Sequence, residues 1–395
     1  MFAGAGGFTG RYAANAASTG NLRSRFRVCV DHNDLMSTYV ISDLHGAYDE
    51  FHNLLDKIRF QFDGSDSLYL LGDYGDWGSK SMETIRFVKR LDERYGFVHC
   101  LMGNHEMMFL SAIEGGIVGD EANEAAVNWL LNNHGLITWN AYAALPEEEQ
   151  EDLHRWLRTL RLSFDVTVNG HLIMLGHAYP YYYDMNDTEE EAARRRMDAA
   201  WRRLMLHENP FASYTGPKHY EFFICGHTIT DFYEQELQRE QDPSVVESLA
   251  ASLVQSVPGG RNRIFHGDRF IDIDCGAKCM SLSEEADDGL LRSVKRSLIE
   301  RAQLSAYCLE TGQEFYVSQP QTPIGEALDG KSAPNLRMPY RDGRNWENRS
   351  RKVPSLQRVH GDCPDMTAPE IGIPDPLLPR VAQTLKNITG KEAWH

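Results

Sequence analysis

Short apolar runs alternate with longer segments of helical spacing in the first part of the chain. The runs are TYVI at 38–41, SLYLL at 67–71 and FVHCL at 97–101. The segment after the first run places apolar residues three and four positions apart, at Phe51, Leu54, Leu55 and Ile58, which is the spacing of an amphipathic helix. The alternation predicts parallel βαβ units, whose ligands gather at the carboxyl ends of the strands.

The pattern changes after about residue 122. Residues 123–160 are predicted to be helical, and WLLNNHG indicates a helix that ends on a glycine cap at Gly135. LSFDVTVNGHLIMLG predicts a hairpin that turns at Asn169 and Gly170. A charged helix is then expected over 189–208, a strand at 220–225, and antiparallel strands within 263–278 and 304–317.

The two ends of the chain lack this periodicity. Residues 1–36 are rich in Ala and Gly, and residues 318–395 hold ten of the 16 prolines. We therefore predict a weakly structured N-terminal extension over 1–36, a main domain over 37–317, and a Pro-rich tail or wrapping segment over 318–395.

Composition narrows the classes of partner. The formal net charge of -17 disfavours a nonspecific nucleic-acid binder and a protein that binds anionic membranes. No apolar run is long enough to span a bilayer, and the N-terminus lacks the pattern of a signal peptide, so a cytoplasmic location is expected. The seven cysteines do not form a disulfide framework, and we interpret Cys275 and Cys279 as packed thiols rather than zinc ligands.

Five predicted strand ends carry side chains that can bind metal ions. A lone Asp or Asn there is usually a helix cap or a turn residue, but independent turns have no reason to choose such residues each time. Mixed carboxylate and imidazole ligands suit Mn²⁺, Fe or Zn²⁺. The side chains, in the motifs SDLHG, GDYGD, GNHE, GHA and GHT, are Asp43, His45, Asp73, Asp76, Asn104, His105, His177 and His227.

These motifs resemble those of the calcineurin-like metallophosphoesterases, and among them the phosphoprotein phosphatases of bacterial and phage type. That family has GDxHG, GDxVDRG and GNHE followed by two later histidines, and the likeness spans residues 37–317. It implies an α/β fold, a four-layer αββα sandwich with two mixed β-sheets and a dinuclear metal site at the strand ends. Residues 37–317 would be the catalytic domain.

The resemblance implies a role for each motif residue. His105 would be the general acid, with Asp76 orienting its imidazole, and a hydroxide bridging two divalent ions would attack phosphorus in line. Mn²⁺ is the expected metal, with Fe or Zn²⁺ as alternatives. Asp73 would be shared by both ions. The full set of implied metal ligands is Asp43, His45, Asp73, Asn104, His177 and His227.

The expected activity is phosphomonoester hydrolysis, first of all as a protein serine/threonine phosphatase acting on a phosphorylated protein or a small phosphoester. Ile229 stands where many related nucleases and phosphodiesterases have a second histidine, which favours this branch. The alternative is a nucleotide or dinucleoside polyphosphate hydrolase similar to the symmetrical diadenosine tetraphosphatases, which usually have GNHD where this chain has Glu106. A degenerate fold that serves as a binding module is disfavoured by the complete ligand set.

The likeness fails at position 77, where Trp77 replaces an arginine that helps the family to bind phosphate. An indole offers one N–H and no charge, so Trp77 either packs at the rim or forms an aromatic wall that stacks on a base. Arg203, with Arg202 beside it, matches a W-x-R element whose arginine contacts phosphate in bacterial and phage members. Lys80 is a weaker candidate for that contact.

Overall fold

The computed structural model describes residues 36–115, 124–216, 218–241, 260–282 and 289–319. The predicted N-terminal extension and C-terminal tail lie outside the described residues, apart from residues 36, 318 and 319. The predictions made for those two segments therefore stay predictions.

The described residues form ten strands. In chain order they are β1 (Thr38–Ile41), β2 (Ser67–Leu70), β3 (Val98–Cys100), β4 (Ser163–Val168), β5 (His171–Gly176), β6 (Phe222–Cys225), β7 (Phe265–His266), β8 (Phe270–Asp272), β9 (Leu304–Cys308) and β10 (Glu314–Val317).

Nine α-helices accompany the strands within the same described ranges, and a 3₁₀ helix, Ala277–Ser281, follows β8. No helix there is long and apolar enough to cross a membrane. The α-helices are α1 (Tyr48–Ile58), α2 (Ser81–Arg94), α3 (Asn104–Gly115), α4 (Glu124–Asn132), α5 (Gly135–Ala143), α6 (Glu147–Leu157), α7 (Glu189–Trp201), α8 (Asp231–Gln241) and α9 (Gly289–Arg301).

The strands build two mixed sheets of five strands each. The first has the order β10-β9-β1-β2-β3, in which β1, β2 and β3 are parallel and β9 and β10 are antiparallel additions. The second has the order β4-β5-β6-β8-β7, in which β5, β6 and β8 are parallel and the two edge strands are antiparallel. The β4–β5 hairpin turns at Asn169 (φ 52) and Gly170 (φ 83), as predicted.

Alternation along the strands explains why the two sheets pack face to face with helices outside them. In β1, Val40 joins a buried cluster with Ile173 and Ile271 of the second sheet, whereas Ile41 joins the cluster that contains the helices of the first sheet. The outer face of the second sheet packs against Tyr233 of α8. The predicted four-layer αββα sandwich is confirmed.

The prediction of a glycine cap at Gly135 is wrong. The helix α4 ends at Asn132, and Gly135 is the first residue of α5 rather than a cap. His134 adopts the left-handed conformation instead, with φ 57. Glycine is needed at 135 because a Cβ there would lie 2.3 Å from the ring of Trp129. Close packing against an indole therefore explains the glycine at position 135.

Candidate metal centre

The carboxyl ends of the strands bring all eight predicted site residues together. Loop hydrogen bonds join the first two strand ends, with the amide of His45 donating to the carbonyl of Asp73 at 2.9 Å. His177 and His227 follow β5 and β6 of the other sheet, and the amide of His227 donates to Asp43 at 3.0 Å. None of the eight side chains belongs to a residue more than 6% exposed. The site therefore lies where the two sheets meet.

The backbone of this region is strained. Ten non-glycine residues in the described ranges have positive φ, and six of them belong to the metal-binding motifs or stand beside them. Such conformations cost about 1–3 kcal/mol each and persist where the surrounding structure holds them, often at functional sites. The six residues are Asp43, His45, Asp73, Asp76, Trp77 and His227.

Two motif glycines let the backbone approach the carboxylates closely. A Cβ on Gly103 would lie 2.2 Å from Asp73 Oδ1, and a Cβ on Gly226 would lie 2.0 Å from Asp43 Oδ2. Neither distance is possible between real atoms, so any larger residue would displace a carboxylate. The glycine that precedes each ligand residue in GNHE and GHT is thus explained by space at the site.

Asp73 stands at the centre of the arrangement. Its Oδ2 lies 3.5 Å from His45 Nε2, and its Oδ1 lies 3.4 Å from His177 Nε2. Two clusters of possible ligand atoms, each within 4.8 Å, share this residue: one with His45 and His105, the other with His177 and His227. An aspartate between two ligand clusters could offset the repulsion between two cations held about 3.5–4 Å apart.

The three histidines outside the His105 pair are oriented by backbone carbonyls. His45 Nδ1 lies 3.1 Å from the carbonyl of Gly75, and His177 Nδ1 lies 2.9 Å from that of Leu71. His227 Nε2 lies 3.2 Å from the carbonyl of Trp201. Donation by these nitrogens leaves the other nitrogen of each ring as a lone-pair donor toward the centre, the arrangement typical of metal-bound histidines.

The donor atoms fit divalent cations. Asp43 Oδ1 and His45 Nε2 are buried without a hydrogen-bond partner and lie 3.8 Å apart. The Oδ1 atom of Asn104 lies 2.9 Å from His177 Nε2 and 3.0 Å from His227 Nδ1. Buried polar atoms without partners cost free energy, and a cation would satisfy carboxylate, amide and imidazole donors together.

Burial sets the charge state of the ligand histidines. It lowers the pKa of His45 and of His227 well below the ordinary histidine value, and neighbouring positive groups lower both further. Burial also lowers the pKa of His177. A neutral imidazole is the form that binds a metal ion, so these residues are held in the ligand state.

His105 differs from the other histidines because a carboxylate holds it. Its Nδ1 lies 2.5 Å from Asp76 Oδ2. Burial by itself lowers the pKa of His105, but the charges of Asp73 and Asp76 outweigh it and raise this pKa above the ordinary value. The imidazole is thus biased toward the protonated form, which a general acid requires.

Two residues that the sequence reasoning missed hold Asp76. Trp129 Nε1 donates to Asp76 Oδ2 at 2.6 Å, and the hydroxyl of Thr138 donates to Asp76 Oδ1. Both residues are buried and lie on the adjoining helices α4 and α5. The apolar pattern of those helices marks Trp129 as a core residue, and neither position carries a signal of its own in the sequence.

Glu106 is a third residue whose structural role the sequence reasoning missed. Its Oε2 accepts from the amides of Asp73 (2.8 Å) and Gly103 (2.9 Å), and its Oε1 accepts from the amide of Tyr74 (2.9 Å). One buried carboxylate therefore ties the GDYGD loop to the GNHE loop. The position of Glu106 in the GNHE motif was a signal that the sequence offered for this role. In the sequence analysis that position only distinguished subfamilies.

The predicted phosphate-binding cations occupy different environments. Arg203 Nη1 donates to the carbonyl of His227 at 3.0 Å and so lies beside a predicted ligand. Arg202 pairs with Glu208 at 2.7 Å, with its guanidinium 4.0 Å from the ring centroid of Tyr179. Lys80 pairs with Asp49 at 2.5 Å on the surface. The roles predicted for these residues remain predictions.

The family model described as calcineurin-like phosphoesterase matches residues 36–231, about half of the chain. The matched segment includes every predicted site residue. A solved metallophosphoesterase from Sphaerobacter thermophilus is also similar, with 14% identity, a TM-score of 0.37, and coverage of 72% of this chain and 88% of that one.

The similar curated proteins bear on the substrate. A symmetrical bis(5'-nucleosyl)-tetraphosphatase of Nitrosococcus oceani is 33% identical over 178 residues, which is 44% of this chain and 55% of that protein. A protein of the same name from Pasteurella multocida is 43% identical over 80 residues, 20% of this chain and 28% of that protein. The chain thus spans about half or less of these relatives' lengths.

These names overturn the first expectation for the substrate. The relatives found at 33–43% identity are named as dinucleoside tetraphosphatases rather than as protein phosphatases. The prediction of a protein serine/threonine phosphatase is therefore wrong, and the finding favours the alternative, a dinucleoside polyphosphate hydrolase. Residue Glu106, which pointed weakly away from that group, does not discriminate because its contacts are internal to the site.

Proposed function

We propose that this chain, whose residues 36–231 belong to the calcineurin-like phosphoesterases, hydrolyses dinucleoside polyphosphates at a centre that holds two divalent metal ions. The observation that carries the hydrolytic part is the pair of buried ligand clusters that share Asp73. The substrate class is supported by the similar proteins named symmetrical bis(5'-nucleosyl)-tetraphosphatases.

The proposed ligands divide between the two clusters. Asp43 and His45 would hold one ion, Asp73 would contact both, and Asn104 with the two later histidines would hold the other. When bound, the ions would supply Lewis-acid stabilisation of phosphate oxygens and make water acidic enough to react near neutral pH. The donors combine carboxylate, amide and imidazole groups, which suit Mn²⁺, Fe and Zn²⁺. We propose Mn²⁺ as the metal, with Fe and Zn²⁺ as alternatives.

His105 is proposed to deliver the proton that the leaving group needs. Its Nδ1 is held by Asp76 at 2.5 Å, so Nε2 is the atom that can donate toward the centre. Asp76 cannot rotate away, because Trp129 and Thr138 donate to its two oxygens. The pair therefore keeps a proton at a fixed position beside the reacting phosphate.

Arg203 is proposed as a phosphate ligand. Its guanidinium is fixed to the carbonyl of His227 through one nitrogen, which leaves further N–H groups for a phosphate oxygen beside the centre. Arg202 is engaged by Glu208 and is the weaker candidate of the two.

Symmetrical cleavage gives the test of the substrate class. Diadenosine tetraphosphate incubated with the full-length protein and Mn²⁺ should yield two molecules of ADP, because water adds to one inner phosphorus and the other half leaves as ADP. In H₂¹⁸O, one ¹⁸O should enter one of the two ADP molecules. Separation of the products by anion exchange with mass detection would measure both results.

The same assay defines the results that contradict the proposal. Equal amounts of ATP and AMP would show asymmetrical cleavage, and an unchanged dinucleotide would remove the substrate assignment. p-Nitrophenyl phosphate, tested in parallel, would show whether a general phosphoesterase activity remains in either case.

A further inference from the structure

The loop that carries Trp77 is fixed against the first metal-binding motif. The amide of Gly78 donates to the carbonyl of His45 at 3.0 Å. Gly46 packs so closely on this loop that a Cβ there would lie 2.9 Å from Gly78 Cα. Trp77 itself has a positive φ of 58 and a buried Nε1 without a hydrogen-bond partner. Trp77 is thus held beside His45 although both its backbone conformation and its buried N–H are unfavourable.

Trp77 stacks on His134. The ring centroids lie 3.8 Å apart and the planes are inclined by 27°. His134 also has a left-handed backbone, with φ 57. Burial lowers the pKa of His134, while the charges of Asp76 and His105 act on it in opposite directions, which places the imidazole beside the proposed proton donor. The two stacked rings, here called the aromatic wall, lie at the edge of the candidate metal centre.

Lys278 extends over this wall. Its Nζ lies 5.8 Å from the centroid of the Trp77 ring, within the range of a cation–π contact. The side chain belongs to the 3₁₀ helix Ala277–Ser281 and is half-buried. Within the part of the chain that the structure describes, no carboxylate lies within ion-pair distance of this ammonium. It differs in this from Lys80 and Arg202, which have acidic partners.

The positive charge of Lys278 acts on residues of the candidate metal centre and on Asp274. After burial, it is among the causes that lower the pKa of His45 and of His227. Burial raises the pKa of Asp274 to about 7, and Lys278 opposes that rise. A partly buried cation is normally paired. Among the described residues Lys278 has no acidic partner, and its ammonium lies beside Trp77 at the edge of the candidate metal centre.

We propose that Lys278 is a phosphate-binding residue, and that Trp77 and His134 are positioning residues that hold its ammonium beside the metal centre. The arrangement would supply from Lys278 the positive charge that the chain lacks at position 77. The inference rests on the proposed function, because it requires a phosphate group at the centre. It does not depend on which phosphate ester or anhydride is the substrate.

The test measures binding of inorganic phosphate to the full-length, Mn²⁺-loaded protein by titration calorimetry. Lys278→Met should raise the dissociation constant for phosphate by about 10- to 100-fold, which corresponds to the loss of a hydrogen bond to a charged group. Metal content should stay unchanged. Lys57→Met is the matched control, because Lys57 is exposed and donates to the carbonyl of Tyr316 at 2.6 Å. Wild-type phosphate affinity in Lys278→Met would overturn the proposal.

Two further variants separate charge from folding. Lys278→Arg should retain phosphate affinity to within a few fold, and an equal loss in the Arg and Met variants would refute a role for the charge. Trp77→Ala should weaken phosphate binding by about 2- to 5-fold, the worth of an exposed cation–π contact. Trp77→Ala that weakens binding as much as Lys278→Met would instead make Trp77 a direct ligand.

Placing a positive charge at position 77 gives the sharpest test. If the two positions serve the same phosphate, Trp77→Arg added to Lys278→Met should recover most of the lost affinity. A double variant that binds phosphate no better than Lys278→Met would contradict the replacement. Because the probe is phosphate, failure to cleave diadenosine tetraphosphate would remove the proposed substrate and leave this result standing.

Discussion

The metal centre and the aromatic wall lie side by side but are built in opposite ways. In the centre, buried oxygen and nitrogen atoms point at a common region, and each histidine is oriented by a carbonyl or a carboxylate. In the wall, the rings of Trp77 and His134 stack on each other, and Lys278 lies beside them without an acidic partner among the described residues. The centre brings together oxygen and nitrogen atoms that can bind cations, whereas Lys278 beside the wall carries a positive charge.

This difference separates reaction chemistry from substrate recognition. The ligand types in the centre are dictated by what a pair of divalent ions accepts, so few residues can serve there. Beside the wall, the requirement is only a positive charge near the phosphate. An arginine at position 77 or a lysine from the 3₁₀ helix can supply that charge. Variation at the wall is therefore compatible with an unchanged centre.

The largest effect is expected from breaking the centre at its shared ligand. Asp73→Asn keeps the size of the side chain but removes the negative charge that both ligand clusters contact. We expect loss of both ions by elemental analysis and a fall in kcat of more than about 10³-fold, since metal ions contribute several kcal/mol of charge stabilisation. Retention of two ions per chain in this variant would contradict the bridging role.

The next effect concerns the proton donor. His105→Asn should lower kcat by about 10²- to 10⁴-fold while both metal ions remain bound. The reduction should be near the lower end with diadenosine tetraphosphate, because a phosphate leaving group, with a second pKa of about 6, needs a proton less than an alkoxide does.

Elemental analysis of His105→Asn also decides between two roles for this residue. His105 belongs to one of the two ligand clusters, together with His45 and Asp73, and its Nε2 lies 3.8 Å from Asp73 Oδ2. Loss of one ion in the variant would make it a metal ligand, and an unchanged turnover rate would exclude it as the general acid. His99→Asn, in β3 outside both clusters, is the control for a general effect on folding.

The sequence was most informative where chemistry limits the choice of residue. Alternating apolar runs predicted the parallel strands, and the five motifs predicted which side chains would meet at the strand ends. His177 and His227 lie far from Asp43 along the chain, yet the rule that ligands gather at the carboxyl ends of strands was enough to place them together. The face-to-face packing of two sheets cannot be inferred from periodicity alone, and it was predicted only through the family resemblance.

The parts that could not be predicted depend on contacts between distant segments. Trp129 reaches Asp76 across 53 positions, and Thr138 does so across 62. An indole on a helix face with apolar neighbours is indistinguishable in sequence from an ordinary core residue. The same holds for Lys278, because one lysine in a short 3₁₀ helix carries no signal until its distance to Trp77 is known.

A smaller effect should follow when the support of Asp76 is weakened. Trp129→Phe removes the N–H that donates to Asp76 at 2.6 Å and keeps a ring in the core. We expect kcat to fall by about 5- to 30-fold, with KM nearly unchanged. The variant loses the hydrogen bond from the indole N–H to the Asp76 carboxylate, and Asp76 positions the proton donor His105.

A matched control for Trp129→Phe exists elsewhere in the core. Trp156 is also buried and donates from Nε1 to Asp92 at 2.9 Å. Trp156→Phe should lower the thermal midpoint to a similar extent and leave kcat unchanged. Equal losses of kcat in the two variants would show that the effect at Trp129 is one of stability rather than of positioning.

The smallest effect compares two adjacent arginines beside the centre. Arg203 is fixed to the carbonyl of His227, whereas Arg202 is paired with Glu208 and packs on Tyr179. Arg203→Met should raise KM for diadenosine tetraphosphate by about 10-fold through loss of one charge-assisted phosphate contact. Arg202→Met should change KM by less than about 2-fold, as is typical of an exposed ion pair. The reverse order in steady-state kinetics would mean that Arg202 leaves Glu208 to bind the substrate, and the phosphate contact would then belong to Arg202.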